Sequence, residues 1–203
     1  NYLVRLGWSH GDEEIFSRDQ FISWFDLASV NRSPAKFDSE KLRWINQHYL
    51  KTTDDSFLAN QIKPLLEEKG CDLSAGPDLQ RIVSILKERV ITTTELADKS
   101  VSFYMRIEPT MEIKEQYYNA EIKPVMEGLI SKFSNISWDR KTIQDEIKGA
   151  ATSYNMKFPK IAMPLRVMVT GETQTPSIDL VLELLGSKET VERMRSQIAN
   201  FPT

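Results

Sequence analysis

The sequence predicts an all-α fold, and three observations carry this prediction. Apolar residues recur at helical spacing along most of the 203-residue chain. Residues that cap helices stand directly before several of these apolar segments. No stretch of about five residues or more alternates cleanly between apolar and polar side chains beside Gly-bounded turns, which is the pattern typical of β-hairpins.

The first helices are predicted from caps that precede an apolar face. Ser17 and Gln20 form a capping-box pattern, which opens a helix with apolar residues as far as Ala28. Pro34 keeps the residue before it out of the helical region, so a loop is expected at 31–34. Asp38 can cap the helix that follows this loop.

The sequence of the middle of the chain predicts three further helices. Asp54 and Asp55 start one of them, since an acidic first turn suits the helix dipole, and Pro64 is expected to kink or break it. After a glycine-containing loop, Pro77 fits the first position of a helix that ends near Arg89. A threonine run then supplies the next cap.

The last part of the chain is also interpreted as helical. One helix runs through Tyr117 and is interrupted at Pro124, and Ser137 can cap the next one. The run 165–169 could be helix or strand, because it is short and apolar. Ser177 opens a further helix that ends before Gly186, and Ser187 caps the last helix.

Composition sets limits on function. The chain is 40% hydrophobic with a net charge of −3, and no apolar run is long enough to cross a membrane. Cys71 is the only cysteine, which excludes intramolecular disulfides and cysteine-based zinc sites and favours a reducing cytoplasm. The net negative charge argues against bulk electrostatic binding to nucleic acid, so RNA binding would depend on local basic faces.

Residues that could perform catalysis are not found in any recognisable arrangement. His10 and His48 are the only histidines, and neither has metal-ligand spacing. A phosphate-binding glycine loop and a nucleophile elbow are both absent from the sequence. Acidic pairs such as Asp54 and Asp55 suit a helix N-terminus or a solvated face. The sequence therefore predicts no catalytic residue, no metal ligand and no bound cofactor.

Segments along nearly the whole chain resemble the C-terminal region of bacterial-type glutamyl-tRNA synthetases. They occur in the family's order and at the family's spacing. Together they are specific, although each alone is not. The matching segments are 1–17, which contains Gly7-Trp8-Ser9-His10-Gly11-Asp12, then 31–38 with 41–49, and 164–171 with Thr175-Pro176 and 182–186.

The resemblance implies a domain plan and a partner. It implies a helical stem-contact segment at 1–52 and two helical anticodon-binding subdomains, 53–111 and 112–203, which form an α-helix cage. The family's HIGH and KMSKS signatures are missing from this sequence. The chain is therefore expected to be inactive alone, with ATP and Mg bound only by the catalytic domain of a parent glutamate–tRNA ligase. The expected partner is tRNA(Glu), with no DNA and no membrane, and the expected state is a monomer.

The resemblance also implies which residues contact the anticodon. Arg89 matches the family arginine that reads the third anticodon base, and Arg166 matches a second anticodon arginine. Thr175, Pro176 and Ile178 match the loop and helix start that touch the flipped bases. A planar guanidinium fork can bond a base edge or stack on it, which suits these roles.

Other interpretations of these residues stay open at the level of sequence. Arg89 could complement a helix C-terminus, or the alignment could slip to Lys87. Arg166 could form a surface ion pair, and 175–177 could be an ordinary turn and cap. Arg43 is predicted as a stem contact, with an exposed basic helix edge as its alternative. The alternative function is a helical protein-interaction module that derives from a synthetase and no longer binds tRNA.

Overall fold

The computed structural model describes residues 1–31 and 34–201; Arg32 and Ser33 of the predicted loop, like Pro202 and Thr203, lie outside the described residues. Within those ranges every regular element is helical, which confirms the all-α prediction. The α-helices are α1 (Tyr2–Arg5), α2 (Arg18–Trp24), α3 (Ser39–Thr52), α4 (Asp55–Glu68), α5 (Leu79–Leu86), α6 (Thr93–Tyr104), α7 (Met111–Tyr117), α8 (Lys123–Phe133), α9 (Arg140–Ser153), α10 (Phe158–Thr170), α11 (Ile178–Leu185) and α12 (Ser187–Ile198). Two 3-10 turns, Leu27–Ser29 and Lys87–Arg89, complete the set.

The N-terminal segment folds around aromatic rings. Trp8 is only 5% exposed, with ring centroids 6.0 Å from Phe16 and 5.3 Å from Phe21. Helices as short as α1 and α2 are unstable by themselves in water, so this cluster must hold them. The capping box at Ser17 forms as predicted. The helix nevertheless ends at Trp24, short of the predicted extent.

The helices from the end of α3 onward share one buried apolar cluster, which extends from Leu50 to Phe201. In its first part α4 packs against α5 and α6, and in its second part α8, α9, α10, α11 and α12 pack against one another. This cluster spans both predicted anticodon-binding subdomains. The boundary predicted near residue 112 stays a prediction.

Prolines interrupt the helices less than the sequence predicts. α4 continues through Pro64, which lies on the exposed side of that helix. α10 likewise continues through Pro164, so the ambiguous run 165–169 is helical. At Pro124 the chain begins α8, since proline is tolerated in a first helical turn.

Two predicted helix starts are wrong, and so is the cap predicted for the last helix, where Gly186 rather than Ser187 stands at the N-cap position. Asp78, the neighbour of Pro77, is the N-cap of α5, and its carboxylate accepts hydrogen bonds from the amides of residues 80 and 81. Asp139 replaces Ser137 as the N-cap of α9 in the same way. In both places an aspartate one or two positions further on satisfies the free amides of the first turn.

No helix in the described ranges has both the length and the apolar character that a membrane crossing needs.

Candidate nucleic-acid interface

The turn that carries Arg89 follows directly from the sequence of α5. Ile82, Val83 and Leu86 form the buried face of this helix, which ends where the 3-10 turn Lys87–Arg89 begins. Val90 is again buried, at 3% exposure. Arg89 therefore lies between two anchored apolar residues, and its own side chain is exposed.

Each side chain of this turn has a different environment. The ammonium of Lys87 lies 2.7 Å from Asp55 and donates a 2.9 Å hydrogen bond to the carbonyl of Thr53. Glu88 lies 3.8 Å from the ammonium of Lys51. Arg89 makes no side-chain hydrogen bond or ion pair with any residue that the structure describes. Since the charge of Lys87 is occupied within the protein, Arg89 is the cation of this turn that is free to contact a ligand.

Arg166 projects from α10 toward the same surface and is half-buried. Nη1 lies 3.0 Å from the sulfur of Met163, and Nη2 donates a long 3.4 Å hydrogen bond to the carbonyl of Pro176. Nε is buried without a hydrogen-bond partner. The surface ion pair considered for Arg166 does not occur within the described part of the chain.

The electrostatic environment of Arg166 is unfavourable to its charge. Burial lowers the pKa of this guanidinium, the nearby charge of Arg89 lowers it further, and Tyr117 acts in the opposite direction. The guanidinium remains protonated at neutral pH, because its ordinary pKa is far above 7. Two arginines therefore lie close together with no carboxylate paired to either among residues 1–31 and 34–201. Such a pair is suited to an acceptor from outside the chain.

A cavity of about 190 Å³ separates the Arg89 turn from the loop after α10. Thr175 and Pro176 line it together with Arg89, and Gly171 sets the course of their loop. Gly171 has a φ of +73°, and a Cβ there would lie 2.5 Å from the carbonyl oxygen of Ile107. Only glycine fits this turn. The structure thus brings three of the predicted anticodon residues, Arg89, Thr175 and Pro176, to one cavity, and Arg166 is linked to them through its hydrogen bond to Pro176.

Ile178 occupies a different position from the other four. Its side chain is 2% exposed and belongs to the hydrophobic core. Only its backbone can face a ligand. Thr175 is half-buried and donates its hydroxyl to the carbonyl of Pro176 at 2.9 Å, so its remaining hydrogen-bonding capacity is as an acceptor.

The N-terminus of α11 is less suited to phosphate than the sequence indicates. Ser177 stands at the N-cap without capping through its side chain, and the carboxylate of Asp179 lies in the first turn. Burial raises the pKa of Asp179, but hydrogen bonds from Arg140 and Ser177 outweigh that effect and the pKa is lowered. Because the first turn already holds this ion pair between Asp179 and Arg140, the helix N-terminus offers a phosphate less than a free one would.

Arg43 lies away from this surface. Its side chain is 52% exposed and forms an ion pair at 3.2 Å with Glu95 of α6. Its predicted contact with a tRNA stem has to compete with this pair, and it stays a prediction.

Sequence reasoning missed several residues around the two arginines. Lys99 and Gln174 also line the cavity beside Arg89. Tyr117 and Met163 line a second cavity of about 330 Å³ next to Arg166. These side chains come from helices and loops far apart in sequence, and helical periodicity gave no signal that they converge.

Comparisons with known proteins identify the family of this chain. The family described as "Anticodon binding domain" matches residues 57–198. The chain is 56% identical, over its full length, to the "Glutamate--tRNA ligase" of Nitrosomonas europaea and covers 44% of that protein. It is 45% identical to the protein of the same name from Thiobacillus denitrificans, over 98% of this chain and 42% of the relative. The chain thus spans less than half the length of these curated relatives.

A solved structure shows the same fold. The glutamate tRNA ligase from Elizabethkingia meningosepticum superimposes with a TM-score of 0.90 at 26% identity, over 99% of this chain and 40% of that one. The matched region contains both arginines and the loop between α10 and α11. On these grounds the chain belongs to the anticodon binding domain family.

Proposed function

We propose that this chain is the tRNA-reading part of a glutamate–tRNA ligase and that its partner is tRNA(Glu). The observation that carries the proposal is the pair of arginines. Arg89 lines the cavity, Arg166 donates a hydrogen bond to the carbonyl of Pro176 in its wall, and neither has a paired carboxylate among the described residues. The names of the relatives support the choice of amino acid. The chain's own residues support an RNA loop as the ligand.

The proposed chemistry is the reading of unpaired bases. An anticodon loop exposes base edges and faces, whereas an A-form stem is read mainly by shape and backbone. Arg89 presents an exposed guanidinium to the third anticodon base, and Arg166 presents a partly desolvated one from the opposite wall. Thr175 and Pro176 form the floor on which a flipped base rests. Few arginines are needed for this task, so the net charge of −3 is compatible with it.

We propose that aminoacylation itself is carried out elsewhere in the parent enzyme. ATP and Mg would be bound there, and this chain would contribute recognition without a catalytic residue. We further propose a cytoplasmic monomer, divided at residues 52 and 111 as the resemblance implies. Glutamate, ATP and tRNA mixed with the isolated chain should give no charged tRNA.

The test replaces Arg89 with glutamine and compares two tRNAs that differ only at the third anticodon base. Arg89→Gln should reduce the ratio of the two affinities roughly tenfold, since an arginine fork on a base edge contributes about this much discrimination. Arg81→Gln is the matched control, because Arg81 is exposed on neighbouring α5 and makes only a 3.6 Å contact with Glu183. An unchanged ratio for Arg89→Gln would remove it from the site.

The alternative is a protein-interaction module without RNA binding, and titration with tRNA at several salt concentrations tests it. Binding to phosphates releases counterions, so the proposed function requires an affinity that falls as salt rises. Absence of any salt-sensitive binding would favour the alternative.

A further inference from the structure

We infer that Lys87 is a positioning residue for Arg89, which it holds toward the anticodon by fastening the 3-10 turn to the N-terminus of α4. This inference rests on the proposed function of Arg89. Lys87 is the residue to which the alignment could slip, and it is therefore the alternative to Arg89 as the reader of the base. The structure gives the two neighbouring cations different tasks.

The contacts of Lys87 are directed into the protein. Its ammonium donates a hydrogen bond to the Thr53 carbonyl at 2.9 Å and lies 2.7 Å from a carboxylate oxygen of Asp55. The geometry of the Asp55 contact is ionic, and that oxygen has no hydrogen-bond partner in the described part of the chain. The side chains of Lys87 and Asp55 are 16% and 26% exposed, so solvent screens this pair less than a surface pair.

A second set of contacts holds the same stretch from α3. Lys51 lies 3.8 Å from Glu88, and the side-chain amide of Asn46 donates a hydrogen bond to the carbonyl of Ile91. The turn is therefore attached on two sides, at α3 and at the start of α4. Arg89 is left as the one side chain of the turn that points to the cavity without an internal partner among the described residues.

Positioning matters because Arg89 projects from a short turn. A 3-10 turn of three residues has weak hydrogen bonding of its own and cannot fix the direction of a long side chain. Recognition of a base edge requires the guanidinium within a fraction of an ångström of its place. Lys87 supplies the fixed point two residues before Arg89, with Glu88 between them.

The experiment measures discrimination at the third anticodon base for Lys87→Met, Asp55→Asn and Lys87→Arg. The first two variants should lose roughly tenfold in the ratio of the two tRNA affinities, since displacement of a positioned group by about an ångström has effects of this order. Lys87→Arg retains a cation and should keep most of the ratio. Lys63→Met is the matched control, because Lys63 forms only an exposed 4.0 Å pair with Glu67 on α4.

A merely structural role would lower stability without acting through Arg89, so two further readouts are needed. In the Arg89→Gln background, Lys87→Met should cause no additional loss of discrimination. In the free protein, the NMR order parameter of the Arg89 backbone N–H should fall in Lys87→Met and be unaffected in Lys63→Met.

Three outcomes would overturn the inference. They are an unchanged ratio in Lys87→Met and Asp55→Asn, an equal loss with and without Arg89, and an unchanged Arg89 order parameter. Failure of the proposed function would look different, because the unaltered chain would then show no preference between the two tRNAs while the order-parameter measurement still reported on the turn.

Discussion

Two buried or half-buried arginines, on neighbouring helices of the same cluster, differ in their hydrogen-bond partners, although burial and a neighbouring arginine lower the pKa of both. Arg193 of α12 is 3% exposed, and its Nε donates to Glu189 at 2.7 Å. Its Nη1 donates to the carbonyls of Ser102 and Val169, at 2.5 and 2.7 Å. Those carbonyls belong to the last turns of α6 and α10, where the helices leave acceptors unused. Arg193 therefore has acceptors on several sides.

Arg166 of α10 has few of these partners. It has a sulfur, one long hydrogen bond and a second arginine as neighbours. A charge that is partly desolvated without compensation lowers stability, so a chain selected for stability alone would not keep it. The comparison separates an arginine whose hydrogen bonds lie within the fold from one that, under the proposed function, binds an external acceptor.

The largest expected effect is on the fold, from Arg193→Met. The substitution leaves two buried helix-end carbonyls without donors and should lower the free energy of unfolding by about 3 kcal/mol. Urea unfolding measures it. Arg195→Met is the control, since Arg195 is exposed on the same helix and should change stability by less than about 0.5 kcal/mol. Equal effects of the two substitutions would contradict the role given to Arg193.

Arg166→Met should weaken tRNA binding and leave the stability of the fold nearly unchanged. The affinity for tRNA(Glu) should fall by about 1.5–3 kcal/mol, the range for a hydrogen bond made by a charged group. The free energy of unfolding should stay within about 1 kcal/mol of the unaltered chain, because an uncompensated charge is removed. Titration with tRNA and urea unfolding of the same preparation measure both quantities. A variant that is strongly destabilised but binds normally would reverse the assignment.

Local sequence signals were sufficient for much of the fold. Ser17, Asp38 and Thr92 cap their helices through side-chain bonds to residues three positions on, and all three were predicted from the adjacent sequence. The residue after the wrong start at Ser137 makes a tertiary contact. The indole of Trp138 donates to the carbonyl of Leu182 at 3.0 Å, and the helix begins after Asp139, whose carboxylate caps its first turn.

The site was predictable only in part. Arg89, Arg166 and Thr175 were identified by family resemblance, because helical periodicity gives no reason for distant residues to converge on one cavity. The roles of Lys87 and Arg193 were not identified at all. In the sequence Lys87 is considered only as an alternative base reader, and nothing singles out Arg193. The partners of each include backbone carbonyls from distant parts of the chain, at Thr53 for Lys87 and at Ser102 and Val169 for Arg193, which no local pattern indicates.

The smallest expected effect is a change in the free energy of unfolding at acid pH, which affects Arg193 and not Arg166. Glu189 is the carboxylate that Arg193 has and Arg166 lacks. The hydrogen bond from Arg106, followed by that from Arg193, lowers the pKa of Glu189 from 4.5 to about 2, although burial opposes the change. A carboxyl with a lowered folded pKa contributes stability that is fully present above pH 4.5. That contribution is lost as the pH falls through about 2.

Over this window Glu189 should contribute about 1–2 kcal/mol, less than the full linkage value because its side chain is a third exposed. Between pH 5 and pH 2, the free energy of unfolding of Glu189→Gln should therefore fall by that much less than that of the unaltered chain. Glu127→Gln, at an exposed site on α8, is the control and should follow the unaltered chain.

Protonation of Glu189 makes the surroundings of Arg193 resemble those of Arg166. The stability difference between Arg166→Met and the unaltered chain should accordingly stay constant across the same window, and a parallel change there would show that the two arginines are held in the same way.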